Sequence, residues 1–166
     1  MSGDGVDLVG ELAAAVGGDA VLSGDAIGED YTHDEALGGV PQVPRAVLLP
    51  ETTEEVAALL RVCDEHRIPV TARGSGTGLS GAAIPVAGGV VVSFERMKRI
   101  EIDDQNQVAT VEPGVSLAEL DAVTAAHSLV YPVYPGEYSA SLGGNVATNA
   151  GGMRAVKYGV TRHQVL

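Results

Sequence analysis

The sequence predicts an α+β chain of two subdomains: a small parallel β-α-β unit over about residues 40–95, and a second, mostly antiparallel unit with helices over about 100–166 that is cut short at its end. Three observations carry this. An apolar tetrad, a capped amphipathic stretch and a second apolar run follow one another between Arg45 and Ala72. Alternation of period two marks both arms of a hairpin between Ile100 and Val111. Two glycine-rich segments, residues 73–81 and 142–152, stand where strands or helices end or begin.

At the N-terminus, Leu8, Val9, Leu12, Ala13 and Val16 recur at helical spacing over residues 7–16, and Gly17-Gly18 stops that helix. The stretch that follows, through Pro44, is turn-rich and acidic, and residues 1–39 are read as a segment ahead of the domain. Within it Tyr31, His33 and Asp34 form either a surface loop or the lining of a ligand pocket. Ala46-Val47-Leu48-Leu49 reads as a short buried strand. Thr52 with Glu55 three residues on is a capping box, opening a helix to about Arg67 whose apolar face is Val56, Leu59, Leu60 and Cys63. Ile68–Ala72 is the next strand. Strand, helix, strand implies a parallel pair with a right-handed crossover, and the glycine loop after it lies at the carboxyl end of a parallel strand, where open α/β sheets bind ligands.

Gly89–Phe94 is a third strand, and Ile100–Ile102 with Val108–Val111 alternates like a hairpin around Asp103-Asp104-Gln105-Asn106. Pro113-Gly114-Val115 is a turn. Ser116 with Glu119 is a second capping box, whose helix shows Leu117, Leu120 and Val123 on one face as far as about His127, where the imidazole sits at the negative end of the dipole. His163–Leu166 reads as the start of a strand. An unpaired edge there leads us to expect a piece of a longer protein.

Composition narrows the function. With 45% hydrophobic and 19% charged residues the chain can bury a core, and with one Phe and no Trp that core is aliphatic. The net charge is −12, and residues 1–44 hold nine acids and no Lys or Arg, so nucleic acid is not an expected partner. Cys63 is the only cysteine: an intrachain disulfide is excluded, a buried apolar role is expected for it, and a reducing cytoplasm is compatible. The N-terminus has neither a basic leader nor a long apolar run, so no membrane span is expected and the location is read as cytoplasmic.

The glycine segments point to an extended phosphate-bearing ligand, because a residue without Cβ lets its N–H approach an anion closely. Gly76-Thr77-Gly78-Leu79-Ser80-Gly81 matches the spacing of a dinucleotide fingerprint, with Glu95 after a downstream strand. That reading fails on space. The fingerprint must open a crossover helix, whereas Ala82-Ala83-Ile84 runs into Pro85 and then Gly88-Gly89. A P-loop fails too, since no Gly-Lys-Ser/Thr follows. What remains is a loop that wraps a pyrophosphate with its own amides, Arg73 standing near as a positive charge.

Residues 69–81 (Pro-Val-Thr-Ala-Arg-Gly-Ser-Gly-Thr-Gly-Leu-Ser-Gly), Glu112-Pro113-Gly114-Val115, the run from Gly143 to Gly152 and Lys157-Tyr158-Gly159 resemble successive signatures of one family. It is that of the FAD-linked oxidases of the vanillyl-alcohol-oxidase (PCMH-type) fold. The resemblance is closest to the branch of the glycolate oxidase flavin subunit, D-lactate dehydrogenase and D-2-hydroxyglutarate dehydrogenase. It covers about residues 40–166 and implies a PCMH-type FAD-binding domain.

By that resemblance Arg73, Gly74, Ser75, Gly76, Thr77, Gly78, Leu79 and Ser80 hold the FAD pyrophosphate. Pro135, Gly136, Ser139, Ser141, Leu142, Gly143, Gly144, Asn145, Thr148, Asn149, Gly151, Gly152 and Gly159 flank the isoalloxazine and ribityl chain. Asn145 and Asn149, four apart, would project from one helical face as polar contacts; capping and turn duty is their other reading, and tight packing without a ligand is that of the glycines. Thr77 stands where covalent relatives carry a histidine, so noncovalent FAD is expected. Pro132-Val133-Tyr134-Pro135 replaces the Pro-Asp-Pro of many relatives.

The acid/base and metal-binding histidines of the family lie beyond the resembling region. His33, His66, His127 and His163 show no ligand spacing, so no catalytic residue and no metal site is assigned. The implied parent function is flavin-dependent oxidation of a small 2-hydroxy acid, glycolate, D-lactate or similar, to the 2-oxo acid. The flavin takes the hydride and an unidentified acceptor reoxidises it. The substrate is expected to bind through a C-terminal domain not present here, so this chain alone is expected to be inactive. The alternatives are a noncatalytic flavin- or nucleotide-binding module, pairing its open edge in a homodimer, and a sugar-oxidising enzyme of the same fold.

Overall fold

The computed structural model describes residues 8–166; the expected start of the first helix at Asp7 lies outside them. The chain divides into two compact units, one ending at Arg96 and the other running Met97–Leu166.

In the first unit, helix α1 (Leu8–Val16) precedes strand β1 (Val21–Leu22), strand β2 (Val47–Leu48), helix α2 (Thr53–Glu65), strand β3 (Val70–Arg73) and strand β4 (Val90–Ser93). The sheet order is β1-β2-β4-β3, with β4 parallel to both β2 and β3 and β1 antiparallel to β2. The strand-helix-strand pattern implied that β2 and β3 pair directly; they are parallel but do not pair, because β4 lies between them. The physical reason is burial. All four residues of β4 are buried, because successive side chains alternate between two covered faces. Val90 and Val92 join Leu48, Leu59, Cys63, Leu8 and Leu12 in one cluster, and Val91 joins Val47, Leu49 and Ala20 in another.

Thr52 caps α2 through its hydroxyl, which accepts from the Glu55 amide at 3.2 Å, while Glu55 Oε2 accepts from the Glu51 amide one residue earlier at 2.7 Å. The buried face of α2 is narrower than its pattern: Leu59 and Cys63 are buried, Val56 is intermediate, and Leu60 is 46% exposed. Full burial of a leucine such as Leu59 is worth about 2 kcal/mol.

In the second unit, strands β5 (Ile100–Asp103) and β6 (Val108–Val111) form an antiparallel hairpin, followed by helices α3 (Leu117–Ala126), α4 (Leu142–Thr148) and α5 (Ala155–Tyr158). Asp103 turns the hairpin by accepting from the Asn106 amide at 3.0 Å and from its Nδ2 at 2.7 Å. The capping box of α3 is complete: Ser116 Oγ accepts from the Glu119 amide, and Glu119 Oε2 accepts from the Ser116 amide. Leu117, Leu120 and Thr124 are its buried residues, with Val123 only half-buried. Val115, Leu117, Leu120, Ala140 and Leu142 make the core, onto which Ile100, Val111 and Tyr131 pack. A backbone bridge between Ser116 and Ser141 fixes where α4 starts. The expected terminal strand is not formed. Thr161–His163 is instead a 3-10 turn, because the fully buried Thr161 ties back to the Ala150 carbonyl through its amide at 3.0 Å and its hydroxyl at 2.7 Å.

Candidate functional site

Arg73, the last residue of β3, begins the first glycine segment. It is 7% exposed. Its Nη1 donates to the His33 carbonyl at 2.7 Å, and its guanidinium lies 5.8 Å from the Tyr31 ring centroid. Burial lowers its pKa, and the carboxylates of Asp30, Asp34 and Glu95 oppose that. Gly76 has φ +76°, and the Arg73 guanidinium occupies the place its Cβ would take, so conformation and close approach both demand glycine there.

Beyond it the loop is irregular and largely exposed, with Leu79 at 77% and Gly78 and Ser80 also exposed. Gly74 and Thr77 are intermediate, and Ser75 Oγ lies 3.3 Å from Thr77 Oγ1. The Gly78 carbonyl accepts from the Glu35 amide at 2.9 Å. No helix forms between Arg73 and Val90, so the space argument against a dinucleotide fingerprint stands.

Tyr31, His33 and Asp34, open between surface loop and pocket lining, lie against this segment. Asp34 is 7% exposed; its Oδ1 accepts from the Ala36 amide at 3.1 Å and its Oδ2 from the Ala83 amide at 3.3 Å. Tyr31 donates to Glu95, which also accepts from Ser93 Oγ at 2.8 Å. Burial first, then the Glu95 hydrogen bond and charge, push the Tyr31 phenol up to about 12. Sequence spacing gave no signal for these ties, which bridge some 40 to 64 positions.

In the second unit, Pro135, Gly136 and Ser139 lie on irregular chain before α4. There the Tyr134 and Tyr138 rings stack at 4.5 Å, and Glu137 accepts from the Ser139 amide at 2.8 Å. Ser141 is the N-cap residue of α4, and Leu142, Gly143, Gly144, Asn145 and Thr148 are within the helix. A Cβ on Gly143 would lie 2.7 Å from that of Pro113, so the helix meets the Pro113 turn at a distance only glycine permits. Thr148 Oγ1 donates back to the Gly144 carbonyl at 2.9 Å. Gly151 packs against Val160, Gly152 against the Tyr134 carbonyl, and Gly159, which ends α5, against the His163 ring.

The two asparagines part company. Asn149 is the C-cap in left-handed conformation, φ 50°, and its Oδ1 accepts from the Arg162 amide at 3.1 Å. It therefore does not share a helical face with Asn145, and capping duty is what its geometry supports. Asn145 is 5% exposed, and its Nδ2 is buried without a hydrogen-bond partner. A buried donor left unmade costs about 1–3 kcal/mol. An acceptor on a bound ligand would satisfy it. Among the described residues no group of His, Cys, Asp and Glu is placed to hold a metal ion, and no helix is long and apolar enough to cross a membrane.

Comparison with known proteins places these segments in context. The family model described as the FAD binding domain matches residues 44–166. An uncharacterized FAD-linked oxidoreductase of Mycobacterium tuberculosis is 59% identical over 161 residues, covering 96% of this chain and 35% of that protein. A D-lactate dehydrogenase of Anaerostipes hadrus is 49% identical, covering 87% of this chain and 31% of the relative. Glycolate oxidase subunit GlcD of Bacillus subtilis is 42% identical, with 82% and 29% covered. The chain thus spans about a third of the length of the curated relatives it matches. Among solved structures, an alkyldihydroxyacetonephosphate synthase shares the fold at TM-score 0.82 and 23% identity, covering 93% of this chain and 34% of its own. A substrate-bound p-cresol methylhydroxylase does so at TM-score 0.72 and 26% identity, covering 86% and 29%. The mixed α/β architecture is therefore that of PCMH-type flavoproteins, and the chain belongs to the FAD binding domain family of FAD-linked oxidoreductases.

Proposed function

We propose that this chain holds noncovalent FAD in an oxidoreductase that converts a small 2-hydroxy acid to the 2-oxo acid. The buried, unpartnered Asn145 Nδ2 carries the cofactor part, because it is a donor for which the protein itself supplies no acceptor. The names of the relatives, D-lactate dehydrogenase and glycolate oxidase subunit, support the substrate class.

When bound, the flavin supplies an acceptor for the two electrons that leave the C2–H bond of the hydroxy acid. The residues of this chain bind and orient. The amides of residues 74–80 meet the pyrophosphate, Asn145 donates to the flavin portion, and Ser139, Ser141 and Thr148 line its polar side. Thr77, at the position where covalent relatives carry a histidine, offers a hydroxyl in place of the imidazole that forms their link, which favours noncovalent FAD. No acid/base residue is assigned to this chain; that proton transfer belongs to the remainder of a full-length protein, and a cytoplasmic setting fits the single buried Cys63.

The experiment is turnover of D-lactate, glycolate and D-2-hydroxyglutarate by the FAD-loaded full-length protein with an artificial electron-accepting dye. Oxidation of one of them, and none by the isolated chain, is expected. Oxidation of a sugar or phenol with no hydroxy acid turned over would refute the substrate class. FAD retention with no oxidase activity on any of these would favour a noncatalytic binding module.

A further inference from the structure

We propose that Asp34 and Arg73 are positioning residues: with the backbone of residues 33–35 they form a brace that holds residues 74–83 in the shape that presents their amides to a pyrophosphate. The proposal rests on the reading of residues 73–80 as the pyrophosphate segment, and adds to it a part of the chain that the FAD binding domain match, beginning at residue 44, leaves out.

Three ties run from the N-terminal segment to the loop, at its start, middle and end. Arg73 Nη1 donates to the His33 carbonyl at 2.7 Å, the Glu35 amide donates to the Gly78 carbonyl at 2.9 Å, and the Ala83 amide donates to Asp34 Oδ2 at 3.3 Å. Asp34 is itself fixed by the Ala36 amide on Oδ1. Inside the loop, Ser75 Oγ lies 3.3 Å from Thr77 Oγ1, and the Ile84 amide donates to the Gly81 carbonyl in a late turn at 3.2 Å. The three ties to residues 33–35 brace this shape from outside.

The brace also explains Arg73. A cation beside a pyrophosphate site would ordinarily be read as a phosphate ligand. Here the guanidinium is buried, bonded to a carbonyl, laid over Tyr31 and packed against Gly76, with the carboxylates of Asp30, Asp34 and Glu95 near it. The carboxylates near it favour its charge, against the cost of its burial. What it offers the loop is the flat, fixed shape of its fork, which lysine lacks.

The test compares wild type, Asp34→Asn and Arg73→Lys in two measurements on this chain: amide hydrogen exchange without cofactor, and FAD titration. Asp34→Asn places an amide NH₂ where one of two backbone N–H groups needs an acceptor. Arg73→Lys keeps the charge and loses the fork. We expect exchange over residues 74–83 to quicken at least tenfold in both variants, with α2 and β4 unchanged, and FAD to bind roughly tenfold more weakly. If Asp34→Asn does not fold, Arg73→Lys carries the same expectation. Full retention of FAD affinity and loop protection in Arg73→Lys would overturn the proposal. So would faster exchange spread evenly through the unit, since that is a merely structural effect. If the full-length protein takes up no FAD while the loop-confined exchange differences persist, the cofactor reading fails and the brace stands.

Discussion

Asn145→Leu separates what the apoprotein wants at this position from what a ligand wants. The amide Nδ2 is buried with no partner, and the residue is 5% exposed. Leaving such a donor unmade costs about 1–3 kcal/mol, whereas an apolar side chain of similar shape does not incur that cost. Leucine is also a better helix former than asparagine by roughly 0.5 kcal/mol, and residue 145 is inside α4. Against this stands overpacking, since leucine is bulkier, at about 1 kcal/mol. The sum leaves the cofactor-free variant about 0.5–2.5 kcal/mol more stable than wild type, or about 1–10 °C higher in Tm for a chain of this length. In FAD binding the sign reverses. Loss of a hydrogen bond to the ligand costs about 1.4 kcal/mol or more, a tenfold or larger rise in Kd. The assays are thermal unfolding followed by circular dichroism, and titration of apoprotein with FAD. A variant that is destabilised by more than about 2 kcal/mol while binding FAD as wild type does would refute the reasoning, because the amide would then serve the fold.

Two further predictions concern ionisation. Glu119 is held at about 2 by the Lys98 ammonium at 2.8 Å and by the Ser116 amide and hydroxyl. A carboxyl depressed in the folded state contributes stability that is present above its unfolded value near 4.5 and lost as pH falls towards 2. Glu119→Gln should flatten the acid limb of a denaturant-midpoint profile in that window; an unchanged limb would contradict the capping role. Tyr31 ionises at about 12, so its contribution is present below about 10 and lost as pH rises through 12. In a phenolate absorbance titration of the five tyrosines, Tyr31→Phe should remove the highest step. Were that step to persist, Tyr31 would not be the tyrosine that carries it.

Features set by neighbours in the chain were legible, and those set by distant ones were not. Both capped helices follow from a hydroxyl residue three positions before glutamate, a local signal. β4 announced itself as an unbroken apolar run, yet its place between β2 and β3 depends on which strand can be covered on both faces. β1 is two residues long and exists only because β2 pairs with it, so the acidic stretch around it looked like loop. Leu60 belongs to the apolar pattern of α2 but faces away from the sheet-covering side, where Leu59 and Cys63 lie. For Asn149 a signal did exist: asparagine just before Ala-Gly-Gly is a common left-handed helix stop. The burial of Asn145 and the ties of Asp34 to the loop are tertiary, and no spacing encodes them.

The central claim is that this chain is built to hold FAD without a covalent bond. It is tested most directly by the visible absorbance spectrum of the purified protein, with the cofactor released by acid and identified by chromatography. The account predicts a yellow protein, or one that turns yellow on adding FAD, with all of the flavin recovered as free FAD in the acid supernatant. Flavin remaining on the precipitated protein would contradict the noncovalent reading. A full-length protein that stays colourless with FAD in excess would contradict the claim itself.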